Sequence, residues 1–149
     1  MNNIDILIVS SCGGHLRELL DLYESFKHLN HKFCLNDNIK LNNQMNNKTI
    51  FITHAERNIK QFINFFEAYK ILKKYKPKVI LSTGASPIVP FSILSILIFK
   101  SKIIYIETLT SVTKPSLTGK IMYYLADNFY YRWIFLKKYF PKGLLVERF

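Results

Sequence analysis

The sequence predicts an α/β fold, a single domain built on a Rossmann-like, mostly parallel sheet. Three observations carry that reading. Strand-like and helix-like segments alternate from one end to the other. The 149 residues suit one domain with a proper hydrophobic core. The strand candidates are near-continuous apolar runs, as in strands covered on both faces. No internal repeat or interdomain linker interrupts the pattern.

Each element has its own justification. Met1 to Ser10 supplies Ile4, Ile6, Leu7, Ile8 and Val9, a buried strand. Ser11-Cys12-Gly13-Gly14 is a sharp turn, and Leu16, Leu19, Leu20, Tyr23 and Phe26 then recur at helical spacing, predicting one amphipathic helix from His15 to Leu29. Lys32 to Leu35 reads as a short strand, Asn36 to Lys48 as an Asn-rich surface loop, and Thr49 to Thr53 as another strand. Asn58 to Tyr75 reads as a helix closed by Pro77, with Ile59, Phe62, Ile63, Phe66, Tyr69, Ile71 and Leu72 on its inner side. A strand from Val79 to Thr83, a helix from Pro87 to Phe99, and a strand from Lys102 to Glu107 follow. The chain then reads as a helix from Leu117 to Asp127, a short strand from Phe129 to Trp133, and a helical turn from Leu136 to Tyr139.

The stretch from Val79 to Phe99 carries no charge. Gly84, Pro87 and Pro90 break it, and the helical remainder, Phe91 to Phe99, falls well short of the roughly 20 residues that span a bilayer. A membrane-crossing helix is therefore not expected.

Hydrophobic residues make up 49% and charged residues 21%, which excludes wholesale disorder. Aromatics reach 15%, more than such a core needs, so some are expected at an interface. The formal net charge of +11 favours polyanionic surroundings: nucleic acid, anionic lipid headgroups or phosphorylated ligands. One basic cluster comprises Arg57, Lys60, Lys70, Lys73, Lys74, Lys76 and Lys78 against Glu67 alone; a second comprises Arg132, Lys137, Lys138, Lys142 and Arg148. A solvated face and attraction to a membrane surface explain either cluster equally well. With no secretory signal, Cys12 and Cys34 point to a reducing cytoplasm rather than a disulfide framework. No metal-ligand spacing is present, and neither metal nor cofactor is expected.

Three loops follow predicted strands and should share the sheet's C-terminal rim. In Ser11-Cys12-Gly13-Gly14-His15, glycines allow close backbone approach and the next helix aims its N–H groups at the space, an arrangement suited to phosphate. A plain strand-to-helix connection explains it equally well. Ser82-Thr83-Gly84-Ala85-Ser86-Pro87 offers hydroxyls and amides for another anionic oxygen, or tight packing. Glu107-Thr108 puts a carboxylate at the end of a buried strand, to hold a sugar hydroxyl, act as a base, cap a helix or pair with a lysine. His15 has the chemistry to take a proton from a hydroxyl, or caps its helix. Cys12 as a nucleophile would need an activating base.

Several segments, in this order, resemble a known family. They are Ser11-Cys12-Gly13-Gly14-His15-Leu16, then Leu81 to Ala85 with Val89-Pro90-Phe91, then Ile104 to Thr108, then Pro115 to Lys120, and finally Trp133 with Tyr139-Phe140-Pro141. They look like the PssD type of bacterial polysaccharide glycosyltransferase subunit. That family is similar to the membrane-side subunit of the split enzyme adding N-acetylglucosamine to dolichol diphosphate, and more distantly to MurG. The resemblance covers nearly the whole chain and implies a GT-B glycosyltransferase cut in two. This chain would be the N-terminal, acceptor-binding half, and a nucleotide-sugar-binding subunit the other. The transfer implied runs from a nucleoside diphosphate sugar, UDP-linked by expectation, to a polyprenyl-diphosphate-linked saccharide in surface polysaccharide synthesis. By the same analogy Ser11, Gly13, Gly14, Thr83, Gly84 and Ser86 line the acceptor diphosphate, with His15 a candidate base and Glu107 beside the reacting sugar. The apolar residues Phe91, Ile93, Leu94 and Leu97 are expected against lipid, on the cytoplasmic face of the plasma membrane, with peripheral attachment to an anionic surface.

The chain departs from that pattern in places. Gly84-Ala85-Ser86-Pro87 stands where the family usually has a second glycine and no proline, Arg132 precedes Trp133 where Gln is expected, and the N-terminal membrane helix of eukaryotic members is not expected here. Rival readings are a non-catalytic docking scaffold for the partner, a basic nucleic-acid-binding domain, and a nicotinamide-dependent oxidoreductase. The second lacks helix-turn-helix, zinc and RNP signatures, so no nucleic acid is expected; the third lacks G-x-G-x-x-G.

Overall fold

The computed structural model describes residues 3–36, 47–53 and 61–146, the side chain of residue 61 excepted. Within these residues seven strands form one parallel sheet: β1 (Ile6–Ser10), β2 (His31–Asn36), β3 (Thr49–Ile52), β4 (Val79–Ser82), β5 (Lys102–Ile106), β6 (Asn128–Tyr131) and β7 (Leu144–Leu145). Their order is β3-β2-β1-β4-β5-β6-β7. The chain runs outward from β1 to β3, then crosses back to place β4 on the other side of β1. That reversal puts a switch point between β1 and β4, where parallel sheets bind ligands.

Alternation along β1 shows why it reads as a continuous apolar run. Ile6 and Ile8 join a core cluster with Leu16 and Leu19 of α1 (Gly14–Asp21), Phe26 of α2 (Tyr23–Phe26), and Phe33 and Leu35 of β2. Leu7 and Val9 point into the opposite cluster, with residues of α3 (Gln61–Tyr75), α4 (Ile88–Leu94) and α5 (Leu117–Leu125). Both faces are covered, so both parities are apolar.

Some elements differ from expectation. The predicted helix from His15 to Leu29 breaks at Leu22, whose N–H bonds Leu19 O at 3.2 Å. The tightened turn lets Tyr23 and Phe26 set their rings edge-on to His31 at 5.5 and 5.9 Å. The predicted helix from Pro87 to Phe99 is α-helical only to Leu94; Ser95–Phe99 is a π-helical turn closed by Lys100, left-handed at φ 60°, whose N–H reaches Ser95 O at 2.7 Å. Pro90 fits because it lies in the first turn of α4, where no intrahelical N–H bond is lost. β6 stops at Tyr131, and Ile134–Leu136 forms a 3₁₀ turn. The two-residue β7 is too short to show in the sequence. Most of the Asn-rich loop, and the start of the predicted helix from Asn58, lie outside the described residues.

The largest correction concerns α3. Its buried side chains are Asn64, Ala68, Ile71 and Leu72, not the aromatic set. Phe62 (77% exposed), Ile63, Phe66 (61% exposed) and Tyr69 face outward. Glu67 fixes this orientation by accepting from the N–H and hydroxyl of Thr53 at 3.1 and 2.8 Å, tying α3 to the end of β3.

Candidate active site

The loops after β1 and β4 meet at the switch point and lock together. His15 Nδ1 bonds Thr83 O at 3.1 Å, and Thr83 Oγ1 donates to His15 O at 2.8 Å. A carbonyl only accepts, so the neutral imidazole carries its proton on Nδ1 and keeps Nε2 as a lone-pair base. Gly84 is the floor beneath the ring. At φ 137° it occupies backbone space reserved for glycine, and a Cβ there would meet His15 Cε1 at 2.5 Å. Buried Ser82 holds this turn, donating to Gly84 O at 2.9 Å and accepting from Gly84 N at 3.2 Å. Of the two readings of His15, the side chain bridges loops rather than capping α1.

The first loop is braced from the other side by β2: Cys12 N donates to Asn36 Oδ1 at 2.9 Å and Cys12 Sγ to Asn36 O at 3.0 Å. Gly13, at φ 111°, starts α1 with no side-chain cap. Nothing lies within 4 Å of the positions a Cβ would take on Gly13 or Gly14. Their bare backbone therefore faces open space at the helix N-terminus, where the dipole favours an anion. Ala85 holds φ 76°, which costs an L-residue about 1–2 kcal/mol.

A cleft of about 610 Å³ opens beside these loops. Its lining combines the hydroxyl residues Ser86, Thr108, Thr110, Ser111, Ser116 and Thr118 with the apolar Phe65, Val89, Pro90, Leu117 and Ile121. Among the described residues His15 is the only ionisable side chain lining it. The volume suits a small organic ligand, and the mixed lining suits one with both polar and apolar parts.

Not every expected residue reaches this cleft. His15 and Ser86 line it; Thr83 and Gly84 are buried in the seat of His15, and Ser11, Gly13 and Gly14 lie outside its lining. Glu107 is 1% exposed and does not line it. Its Oε1 accepts from Ser116 N at 2.7 Å, while Ser116 Oγ accepts from Gly119 N at 2.8 Å to cap α5. A Cβ on Gly119 would overlap Glu107 Oε2, so only glycine leaves room for the carboxylate. Glu107 thus braces Ser116, the residue that caps α5, and sits behind the cleft rather than in its lining. Beneath lies Tyr105, whose hydroxyl pKa is pushed up by burial and further by the Glu107 carboxylate.

Phe91, expected against lipid, is fully buried in the core. Helical spacing sets it with Ile88, Ser92 and Ser95 on the sheet side. Ile93 and Leu94 are half-buried, and only Leu97 (69% exposed) is open, on the π-helical turn with Ile96 and Ile98. The exposed aromatics of α3 are edged by lysines: Lys70 Nζ lies 4.3 Å from the Phe66 ring centroid and Lys73 Nζ 5.8 Å from that of Tyr69. Tyr69 in turn touches Phe99 of the π-helical turn at 5.6 Å, joining the two apolar surfaces. No described helix is long and apolar enough to cross a membrane. No group of three metal-ligating side chains occurs among the described residues.

Two residues that shape or line the cleft region escaped the sequence. Glu18 of α1 accepts from Thr108 Oγ1 at 2.8 Å and Leu109 N at 3.1 Å, bracing the loop after β5. Its only signal is a position three residues after His15, on the same helix face. Asn64, a buried amide among aromatic residues of α3, lines the cleft and was legible only as an oddity.

Parallel order, switch point and cleft together define the Rossmann-like half of a GT-B-type protein. MurG of Acinetobacter baumannii superposes with a TM-score of 0.67 at 12% identity, over 87% of this chain and 41% of that one. The UDP-GlcNAc 2-epimerase of Methanocaldococcus jannaschii gives 0.69 at 8% identity, over 93% and 42%. Such likeness speaks for the fold alone. The chain belongs to the family described as oligosaccharide biosynthesis protein Alg14 like, whose profile matches residues 6–146. Among its relatives, the UDP-N-acetylglucosamine transferase subunit ALG14 of Rattus norvegicus is 31% identical over 86 residues, 54% of this chain and 40% of the relative. That of Saccharomyces cerevisiae is 42% identical over 55 residues, 34% of this chain and 23% of the relative. The matched region thus spans two fifths or less of these relatives.

Proposed function

We propose that this chain is the acceptor-binding subunit of a two-chain glycosyltransferase of the PssD type. It presents a polyprenyl-diphosphate-linked saccharide to a partner subunit that holds a UDP-sugar, in capsular or exopolysaccharide synthesis at the cytoplasmic face of the plasma membrane. The observation that carries this reading is His15: its Nδ1–H is committed to Thr83 O, and it is the only ionisable group lining the cleft among the described residues. In the reaction, Nε2 takes the proton of the acceptor hydroxyl, and the oxygen attacks the anomeric carbon of the donor. The bond from that carbon to the UDP oxygen breaks, and UDP leaves with the electron pair. The acceptor diphosphate lies over Gly13 and Gly14 at the start of α1, with Ser86 beside it. Transfer requires donor and acceptor held together, and this chain supplies one wall of such a site. Family membership and the naming of its relatives as transferase subunits support the assignment.

The membrane-facing surface in this reading is the outer face of α3 with Leu97 and its neighbours, in place of Phe91. Phe62, Phe66 and Leu97 enter the interface while Lys70 and Lys73 meet anionic headgroups, each lysine contributing about 1 kcal/mol near the surface. The burial of Glu107 favours one second reading: the chain docks the acceptor and the partner supplies the base.

One experiment separates them. In the reconstituted pair, His15→Ala should lower transfer about 10²-fold or more, the scale of a general base. Unchanged turnover would assign the base to the partner and leave this chain a docking scaffold.

A further inference from the structure

From Thr110 and Thr108 in the cleft lining to Glu18 runs a chain of hydrogen bonds with a fixed direction. Thr108 Oγ1 has one proton and gives it to Glu18 Oε1 at 2.8 Å. The 3.1 Å contact between Thr108 Oγ1 and Thr110 Oγ1 can then be made only by the proton of Thr110. Thr110 has therefore spent its proton inward. What it offers the cleft, which it lines, is a pair of lone pairs on an exposed side chain.

The loop that carries it is stiff. Leu109 N donates to Glu18 Oε1 at 3.1 Å, Trp133 Nε1 donates to Leu109 O at 2.8 Å, and Ser111 N closes on Thr108 O at 3.0 Å. An ordinary surface threonine rotates to suit its partner. This one is preorganised in a single sense.

We infer that Thr110 is a specificity-determining acceptor for a hydroxyl of the sugar attached to the lipid diphosphate, its direction set by Glu18 acting as a positioning residue through Thr108. The inference rests on the acceptor-binding reading above and deepens it. A group able to donate, such as a sugar hydroxyl, gains a hydrogen bond there. A carboxylate in the same place would meet lone pairs backed by the Glu18 charge.

The test is titration of the full chain with two probes: farnesyl diphosphate, and farnesyl diphosphate carrying one neutral hexose. The hexose should tighten binding about three- to tenfold in the wild type, as one net hydrogen bond does. Thr110→Ser should keep that gain. Thr110→Val should lose it while binding bare farnesyl diphosphate as the wild type does. A hexose gain that survives T110V, or is missing from the wild type when the bare probe binds, overturns the inference and leaves the acceptor-binding reading standing. If neither probe binds, the acceptor-binding reading fails and the subsite falls with it.

Discussion

Replacing Gly84 by alanine should damage the molecule in two separable ways, because the residue is both a backbone hinge and the floor under His15. The backbone part follows from φ 137°, a region that costs a non-glycine residue about 1–3 kcal/mol. The contact part follows from the methyl group, which would lie 2.5 Å from His15 Cε1 and 2.7 Å from Nδ1. Ordinary carbon contacts need about 3.5 Å or more, so the ring must retreat by about 1 Å. The 3.1 Å bond from Nδ1 to Thr83 O does not survive such a shift, and its loss adds about 1 kcal/mol. Gly84→Ala should thus destabilise by about 2–4 kcal/mol in the wild type but only by the backbone part where His15 is already alanine. Urea unfolding of wild type, G84A, H15A and the double variant closes the cycle, with an expected coupling of about 1 kcal/mol or more. Two effects that add within about 0.5 kcal/mol would refute the proposed seat.

Four further outcomes follow from named side chains. Glu107→Gln should keep turnover of the reconstituted pair within about tenfold, because the amide oxygen can still accept from Ser116 N; a fall of about 10² or more would restore Glu107 as a base. The double variant Phe62→Ser, Phe66→Ser should weaken sedimentation with phosphatidylserine vesicles at least about tenfold, since burying one such ring is worth about 1.5–3 kcal/mol. Its folding stability should move little, whereas Phe91→Ala, in the core, should cost about 3–5 kcal/mol; vesicle binding that ignores the double variant would move the membrane surface elsewhere. Burial pushes the Cys34 thiol well above its ordinary pKa, so iodoacetamide at pH 8 should label it only after unfolding, and native labelling would contradict its placement.

The central strands were readable because burial on both faces writes itself into composition: β1, β4 and β5 are apolar at both parities. The helices were harder for a physical reason. Periodicity shows which residues share a stripe but not which stripe meets the sheet. On α3 two apolar stripes compete, and the smaller one, with Asn64 and Ala68, wins because Ala68 gives close approach and Glu67 reaches Thr53. The larger stripe is then left outside with its lysines. The break at Leu22 was equally hidden, since Leu19, Tyr23 and Phe26 keep helical spacing through it and only the rings of β2 demand the turn.

At the cleft, the legible part was the pair of glycine loops, and the illegible part was what each polar group is attached to. A carboxylate closing a buried strand looks the same whether it awaits a substrate or caps a helix. What decides for Glu107 is Gly119, whose missing side chain makes the space, and Ser116, which donates to it nine residues later. Glu18 is farther still from its partner, 90 residues before Thr108. The loops after β1 and β4 behave differently because they adjoin across the switch point, and each holds the other's backbone through His15 and Thr83. Glycine at 84 then answers a packing demand and a chemical one at once, since the space it leaves is filled by the imidazole of His15. A glycine pattern at this rim thus marks where a side chain must be seated as well as where backbone is left bare, and the two uses divide by position: Gly84 against the ring, Gly13 and Gly14 toward open space.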